Sequence, residues 1–187
     1  MATLHIQLAA GDAQRKLADA AERLAHPASL MDQVGAVLES RINRRFDTKT
    51  DPTGAAWAPI TETTKQFWTL LHGGPKGRAR KPGKEDWKAF GRGDIASSQT
   101  MPGSLLERTR AMRGSLAHNA DDSGVEVGFN RLTDNGRWQV AMLHEFGTKS
   151  MPRRGLMTAD PTTGKLGAAD EADVVRAAND WLSRLFD

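Results

Sequence analysis

Cysteine is absent from the sequence of 187 residues. This absence excludes disulfide bonds and thiolate metal ligands, and it fits a protein that resides in a reducing compartment. Apolar residues are scarce, because they make up 39% of the chain and aromatic residues only 6%. Together with a mean hydropathy of -0.53, this composition predicts that part of the chain lies outside the hydrophobic core.

Long apolar runs are missing as well. No stretch approaches the length of roughly 20 apolar residues that a membrane-spanning helix requires. The first residues also lack the charged and apolar regions of a secretory signal peptide, so we expect a soluble, non-secreted protein with no membrane partner. The formal net charge is only +3, although the sequence pI is about 9.4. A charge of this size does not by itself indicate a nucleic-acid partner.

The hydrophobic periodicity predicts an α+β fold, in which a small antiparallel sheet packs against several helices. The length suits a single domain over residues 1–187, with a long, basic, flexible insertion at about 72–103. The predicted strands are residues 3–8, 115–118 and 125–129, of which the last two form a hairpin. The predicted helices are residues 13–25, 29–46, 61–71, 104–112, 138–144 and 167–186.

The first two predicted helices are amphipathic. The apolar stripe of the first consists of Leu17, Ala20, Ala21 and Leu24, and that of the second of Leu30, Val34, Val37, Leu38, Ile42 and Phe46. The C-terminal end of the second helix carries Arg41, Arg44 and Arg45, at the position where cations compensate the helix dipole. We interpret these arginines as a solvated helix end in preference to a phosphate-binding site.

A turn and an apolar flap follow the second helix. Pro52 and Gly54 stand where a turn requires a fixed φ and a positive φ. Trp57 and Pro59 then form a flap that we expect to dock on the second helix. The predicted docking surface consists of Val34, Val37, Leu38 and Ile42.

The insertion begins with a basic arm. Residues 72–84 contain five cations and no acid, together with four glycines and two prolines. This composition is typical of a solvated, mobile segment, or of an arm that contacts DNA or an acidic partner. The cations are Lys76, Arg78, Arg80, Lys81 and Lys84.

Patterns of catalytic residues are incomplete. The Gly-Lys pair at 164–165 resembles the end of a phosphate-binding loop, but a leucine follows where Ser or Thr is required. The His-Glu pair at 144–145 opens like a zinc-protease helix, but Thr148 replaces the second histidine. We therefore predict a protein that is not an enzyme, with no catalytic residues, no metal and no cofactor. A hydrolase with His144 as general base is the alternative, although a structural histidine is favoured.

Several short segments form an ordered set along the chain. They are Arg45-Phe46, residues 51–60 with Thr64, residues 106–116, residues 125–128, Ala141-x-x-His144-x-x-Gly147 and Met151-Pro152-x-Arg154. In this order and spacing they resemble the phage virion morphogenesis family, the tail-completion proteins of Mu-like and related tailed phages. The resemblance runs from about residue 30 to the end, apart from the basic arm. Arg110 stands where the family usually has glycine, and residues 155–157 replace a usual Pro-Phe-Leu.

The resemblance implies a non-enzymatic virion protein that completes the phage tail and joins it to the DNA-filled head. Related neck and tail-terminator proteins are small α+β subunits in rings, often six-fold. The implied partners are copies of the chain, other neck, connector, tail-tube or tail-terminator proteins, and the DNA in the channel. The implied location is the head–tail junction of the virion, after assembly in the host cytoplasm. The alternative is a basic nucleic-acid-binding module that contacts DNA through the 72–103 arm.

A ring subunit needs two complementary surfaces, and we predict that the corner after the short helix is one of them. Gly147 permits a turn whose backbone angles residues with a Cβ rarely adopt, and Pro152 fixes φ where the chain continues after the turn. The bend is expected to aim Arg153 and Arg154 away from the core, so that a guanidinium pairs with a carboxylate of an adjacent subunit. With His144, these residues form the predicted subunit interface.

Overall fold

A computed structural model describes residues 11–62, 64–66, 70, 88, 106 and 110–185. The helices with defined bounds are α1 (Gly11–Ala25), α2 (Ala28–Thr48), α3 (Val140–Phe146) and α4 (Ala168–Ser183), with a 3-10 turn at Arg113–Ser115. The strands are β1 (Leu116–Asp121) and β2 (Gly124–Phe129), which form a two-stranded antiparallel sheet. The predicted α+β class is therefore confirmed.

Helix α2 packs against both the hairpin and α4. On the hairpin side, a Cβ at Gly35 would lie 2.3 Å from His118 Cδ2. Only glycine therefore allows β1 to approach the helix this closely. His118 also reaches back to the helix, where its Nδ1 lies 2.7 Å from Glu39 Oε2.

The predicted hairpin is confirmed, and β1 pairs with β2 in antiparallel register. Leu116 pairs with Phe129 at the open end, and Asp121 pairs with Gly124 at the turn. The Asp121 carboxylate accepts hydrogen bonds from the backbone N–H groups of Ser123 and Gly124, at 2.7 and 3.1 Å. This side-chain turn chemistry ends β1 and starts β2.

The main core forms around Phe46, which is fully buried. Its ring meets the rings of Trp57 and Phe129 edge to face, at centroid distances of 5.7 and 6.1 Å. This geometry is the favoured one for aromatic pairs. The buried members of this core are Ile42, Phe46, Trp57, Met112, Leu116, Ala141 and Leu156.

The flap docks on α2 as predicted for Trp57, but farther along the helix. Trp57 is 6% exposed and packs with Ile42 and Phe46, near the C-terminal end of α2. Its indole Nε1 donates a hydrogen bond of 3.0 Å to the backbone oxygen of Gly155. The prediction is wrong for Pro59, which is exposed, since only Trp57 of the two belongs to the buried core.

The turn before the flap is fixed by close packing. Gly54 has a φ of +89°, which confirms the predicted turn position. Pro52 is buried, and a Cβ at Gly167 would lie 2.1 Å from its backbone oxygen. The turn therefore rests directly on the residue that precedes α4.

A second, smaller core joins α1 to α4. Ala20 is buried against Trp181 and Leu185, with Leu30 partly buried beside them. The predicted helix is confirmed, but its apolar stripe is not a packed face, since Leu17 and Leu24 remain 61% and 51% exposed. Ala20 is the buried residue of α1, and it packs with Trp181.

The basic end of α2 is not simply solvated. Arg45 is 6% exposed, and its Nη2 donates to the carboxylate of Asp170 in α4, which is 1% exposed. Arg41 Nε donates to the same carboxylate at 3.0 Å. Burial lowers the pKa of Arg45, and the charge of Asp170 opposes this shift. The solvated interpretation is therefore wrong for Arg45, while Arg44 is exposed.

The segment before β1 differs from the predicted helix at 104–112. Leu106 and Arg110 have φ values of +64° and +54°, which a continuous right-handed helix excludes. Arg110 thus adopts the left-handed conformation that suits glycine best. The chain enters β1 through the 3-10 turn at Arg113–Ser115.

Some predictions fall outside the described residues. These are the strand at 3–8 and nearly all of the insertion at 72–103, including the five cations of the basic arm. In the part of the chain that is described, no helix is long and apolar enough to cross a membrane.

Replacing Trp57 with alanine tests the flap. We expect the free energy of unfolding to fall by about 3–5 kcal/mol, because the change removes a buried aromatic side chain and leaves a cavity. Chemical denaturation measures this loss. Pro59→Ala is the matched control on the same flap, and its effect should stay within about 0.5 kcal/mol because Pro59 is exposed. An unchanged midpoint for Trp57→Ala would contradict the packing.

Candidate functional site

The corner after α3 is built on a glycine. Helix α3 ends at Phe146, and Gly147 follows with a φ of +72°. A Cβ at Gly147 would lie 2.9 Å from the backbone nitrogen of Arg153, so both the conformation and the space require glycine. The chain then turns back, and the backbone N–H of Arg154 donates to the oxygen of His144 at 2.8 Å. The predicted bend is confirmed.

Beyond the corner lies a buried segment, residues 155–158, which we call the 155–158 loop. It belongs to no helix or strand. Leu156 is fully buried in the main core. A Cβ at Gly155 would meet the guanidinium of Arg153 at 2.8 Å.

Glu145 holds this loop from α3. Glu145 is only 5% exposed. Oε2 accepts hydrogen bonds from the N–H groups of Leu156 and Met157, at 2.5 and 3.0 Å. Oε1 accepts one from the N–H of Thr158 at 3.0 Å and one from its hydroxyl. One carboxylate therefore satisfies three consecutive peptide groups.

Arg153 points back into its own chain. Its Nε donates to the backbone oxygen of Glu145 at 2.9 Å, and its Nη2 donates to that of Thr158 at 2.7 Å. The same Nη2 lies 3.6 Å from the Glu145 carboxylate. The guanidinium therefore bridges the end of α3 and the end of the 155–158 loop.

Arg154 is buried as well, with 6% exposure. Its Nε donates to the backbone oxygen of Ala58 at 2.8 Å, and its Nη2 to that of Pro59 at 3.1 Å. Burial lowers the pKa of this guanidinium. The expectation that Arg153 and Arg154 point away from the core is therefore wrong, because acceptors for both lie within the chain. Pro152 is exposed, and its part in a subunit contact stays a prediction.

The flap and the corner form one site. Trp57 donates to Gly155, and Arg154 donates to the oxygens of Ala58 and Pro59. The buried arginine of α2 also reaches the loop, since Arg45 Nη1 donates to the oxygen of Leu156 at 2.5 Å. Hydrogen bonds thus join the flap and the corner, which lie about a hundred positions apart in the sequence. No local pattern in the sequence indicates the roles of Glu145, Arg45 or Asp170.

His144 is the titratable group of the site. Its Nδ1 is buried and has no hydrogen-bond partner among the described residues. Burial lowers the pKa of His144 to about 4, and the positive charge of Arg154 adds to the shift. The imidazole is therefore neutral at pH 7, and a proton added to it would lie in an apolar, positively charged environment.

The site holds the backbone in place and offers little for catalysis. Its carboxylate and guanidinium groups are all bonded to backbone groups or to each other. Across the part of the chain that is described, no group of three or more His, Cys, Asp or Glu side chains could hold a metal ion. The arrangement is that of a rigid structural junction.

Arg154→Ala tests whether the guanidinium braces the flap. We expect the free energy of unfolding to fall by about 2–3 kcal/mol, because the oxygens of Ala58 and Pro59 lose their donor. The melting temperature measures the effect. Lys149→Ala, at an exposed cation of the same corner, should change stability by no more than about 0.5 kcal/mol. Equal melting temperatures for the two variants would contradict the bracing role.

The low pKa of His144 predicts acid sensitivity. The folded state binds the His144 proton only near pH 4, whereas the unfolded chain binds it near pH 6.5. The contribution of neutral His144 to the free energy of unfolding is therefore fully present above pH 6.5. It is lost as the pH falls toward 4, by about 3 kcal/mol in total. Unfolding free energies measured between pH 4 and 7 give the slope. His144→Gln should flatten that slope, and an identical slope in both proteins would refute the assignment.

Comparison with known protein families identifies one segment of the chain. The model of the Phage virion morphogenesis family matches residues 9–69. This segment contains α1, α2, the turn and the flap. No curated protein and no solved structure gives a significant match. The match begins at residue 9, upstream of residue 30, where the expected resemblance begins. The segments from residue 106 onward lie outside the match. The resemblance to the phage virion morphogenesis family is therefore confirmed over residues 9–69.

Proposed function

We propose that the protein is a ring-forming subunit that completes the phage tail and joins it to the head. The observation that carries this proposal is the match of residues 9–69 to the phage virion morphogenesis family. The site described above supports a structural role, because its polar side chains serve to fix the backbone of the flap and the 155–158 loop. A subunit that transmits force between head and tail requires such rigid junctions.

A ring of identical subunits needs a head-to-tail interface, with two different surfaces on each copy. We propose a six-fold ring at the head–tail junction, stacked on other neck, connector, tail-tube or tail-terminator proteins. DNA would pass through its channel. Pro152 and the other exposed residues of the α3 corner are available for contacts in this assembly, whereas Arg153 and Arg154 hold the subunit itself together.

Size-exclusion chromatography with light scattering tests the ring. We expect a particle of about six times the subunit mass of 20.4 kDa, which dissociates on dilution because each interface alone is weak. In lysates that lack the protein, heads and tails should accumulate unjoined, and the purified protein should restore joining. A protein that stays monomeric at all concentrations and fails to restore joining would overturn the proposal.

The nucleic-acid alternative depends on the five cations of the basic arm. It predicts DNA affinity that falls steeply with salt, with a logarithmic slope of about 0.9 for each phosphate contacted. Replacing the cations with glutamine should reduce that slope, while the ring should still form. The five positions are Lys76, Arg78, Arg80, Lys81 and Lys84. DNA binding with no oligomer would favour the alternative.

A further inference from the structure

Helix α3 carries an apolar stripe that the described residues leave uncovered. Trp138, Met142 and Phe146 are 60%, 57% and 56% exposed. Met142 and Phe146 are four residues apart and lie on one side of α3, whereas Trp138 precedes the helix and the extended Gln139. Ala141 and Glu145, one position away in the helix, are buried. We call these three exposed residues the α3 stripe, and such a contiguous apolar surface marks a protein contact.

A second stripe lies on α4. Val175 and Leu182 are 57% and 41% exposed, and their spacing of seven residues places them on one side of the helix. Glu171 precedes Val175 by one turn on the same side and is also exposed. We call these three residues the α4 stripe.

Cations flank the α3 stripe, whereas the α4 stripe begins with an acid. Of the cations near the α4 stripe, Arg176 is paired with Asp173 at 2.7 Å, and Arg184 lies beyond the end of the helix. Arg137 precedes the α3 stripe and Lys149 follows it, and both are exposed. Within the described ranges, the structure shows no carboxylate partner for either cation, and no cationic partner for Glu171. Unpaired opposite charges next to two apolar surfaces provide electrostatic complementarity between them.

We propose that the α3 stripe of one copy packs against the α4 stripe of the next copy. This inference rests on the proposed ring, whose head-to-tail interface needs two different surfaces. The lengths are compatible, since Met142 and Phe146 span roughly 6 Å of α3, and Val175 and Leu182 span roughly 10 Å of α4. Met142 and Phe146 then pack on Val175 and Leu182, and Glu171 lies beside a cation that flanks the α3 stripe.

The area of this contact explains why the assembly has to be a closed ring. Stable protein pairs bury about 800 Å² on each partner, which is more than two or three side chains on each side provide. A single contact of this kind is therefore weak. Ring closure adds a second contact to each copy, so that the complete ring is held far more tightly than an open pair.

Two charge-introducing variants test the pairing. Phe146→Glu should disable the α3 stripe and Val175→Glu the α4 stripe. Each should weaken self-association at least about 30-fold, as loss of a central interface residue does, with an unchanged melting temperature. Leu17→Glu is the control, because it places the same charge on an exposed leucine of α1 outside both stripes. The control should assemble like the wild type.

Mixing the two variants gives the sharpest result. The Phe146→Glu copy retains its α4 stripe, and the Val175→Glu copy retains its α3 stripe. At protein concentrations high enough to saturate one weak contact, the mixture should therefore form one-to-one dimers that cannot close into rings, while each variant alone stays monomeric at the same concentration. Light scattering of the two variants, alone and mixed in equal amounts, measures this.

Each other outcome overturns a specific statement. If the wild type forms rings and both variants also do, the pairing is wrong and the proposed ring stands. If the variants are monomeric but the mixture forms no dimers, the two stripes do not contact each other. If Phe146→Glu lowers the melting temperature and leaves assembly intact, another segment of the same chain covers the α3 stripe. A monomeric wild type overturns both the ring and the pairing.

Discussion

The structure depends on satisfying the backbone of a buried segment that has no regular secondary structure. Peptide groups in a core need hydrogen bonds, and the 155–158 loop has no helix or strand to supply them. Side chains do so instead. Trp57, Arg45 and Arg153 donate to its oxygens, and Glu145 accepts from its N–H groups. The flap, α2, α3 and the corner therefore converge on one loop.

The buried ion pair between α2 and α4 follows the same logic. Removing a carboxylate and a guanidinium from water costs several kcal/mol for each ion, so the pair contributes little net stability. Removing one partner of the pair is strongly destabilising, because the unpaired buried charge that remains costs about 3–5 kcal/mol. Asp170 therefore specifies where α4 sits, since other positions of the helix would leave Arg45 without its partner. Two arginines share the carboxylate, which leaves little freedom in its orientation.

Local features of this fold could be predicted from the sequence. The hairpin follows from alternation around the Asp-Asp-Ser-Gly turn, and the buried Trp57 follows from a turn that returns an apolar side chain to α2. Gly147 marked the corner because its neighbours are apolar on one side and polar on the other. Helix α3 begins at Val140, two residues later than predicted, because Gln139 has extended backbone angles and acts as its N-cap.

Long-range pairs could not be predicted in this way. Arg45 and Asp170 are 125 positions apart, and Arg154 and Ala58 are 96 apart. No periodicity connects such positions. A cation at a helix end is usually solvated, so the sequence favoured exposure for Arg45. The predicted bend at the corner favoured an external partner for Arg154. Glu145 was overlooked because a lone acid on a short helix gives no sign that three N–H groups face it.

The division of contacts along the chain has an evolutionary consequence. The segment that matches the virion morphogenesis family ends at residue 69, yet Trp57 and Arg45 within it find their partners at Gly155 and Asp170. Genetic exchange that joined this segment to an unrelated C-terminal part would leave the buried cation of Arg45 and the indole N–H of Trp57 without their partners. The two parts are therefore expected to be inherited together, although the family match covers only residues 9–69.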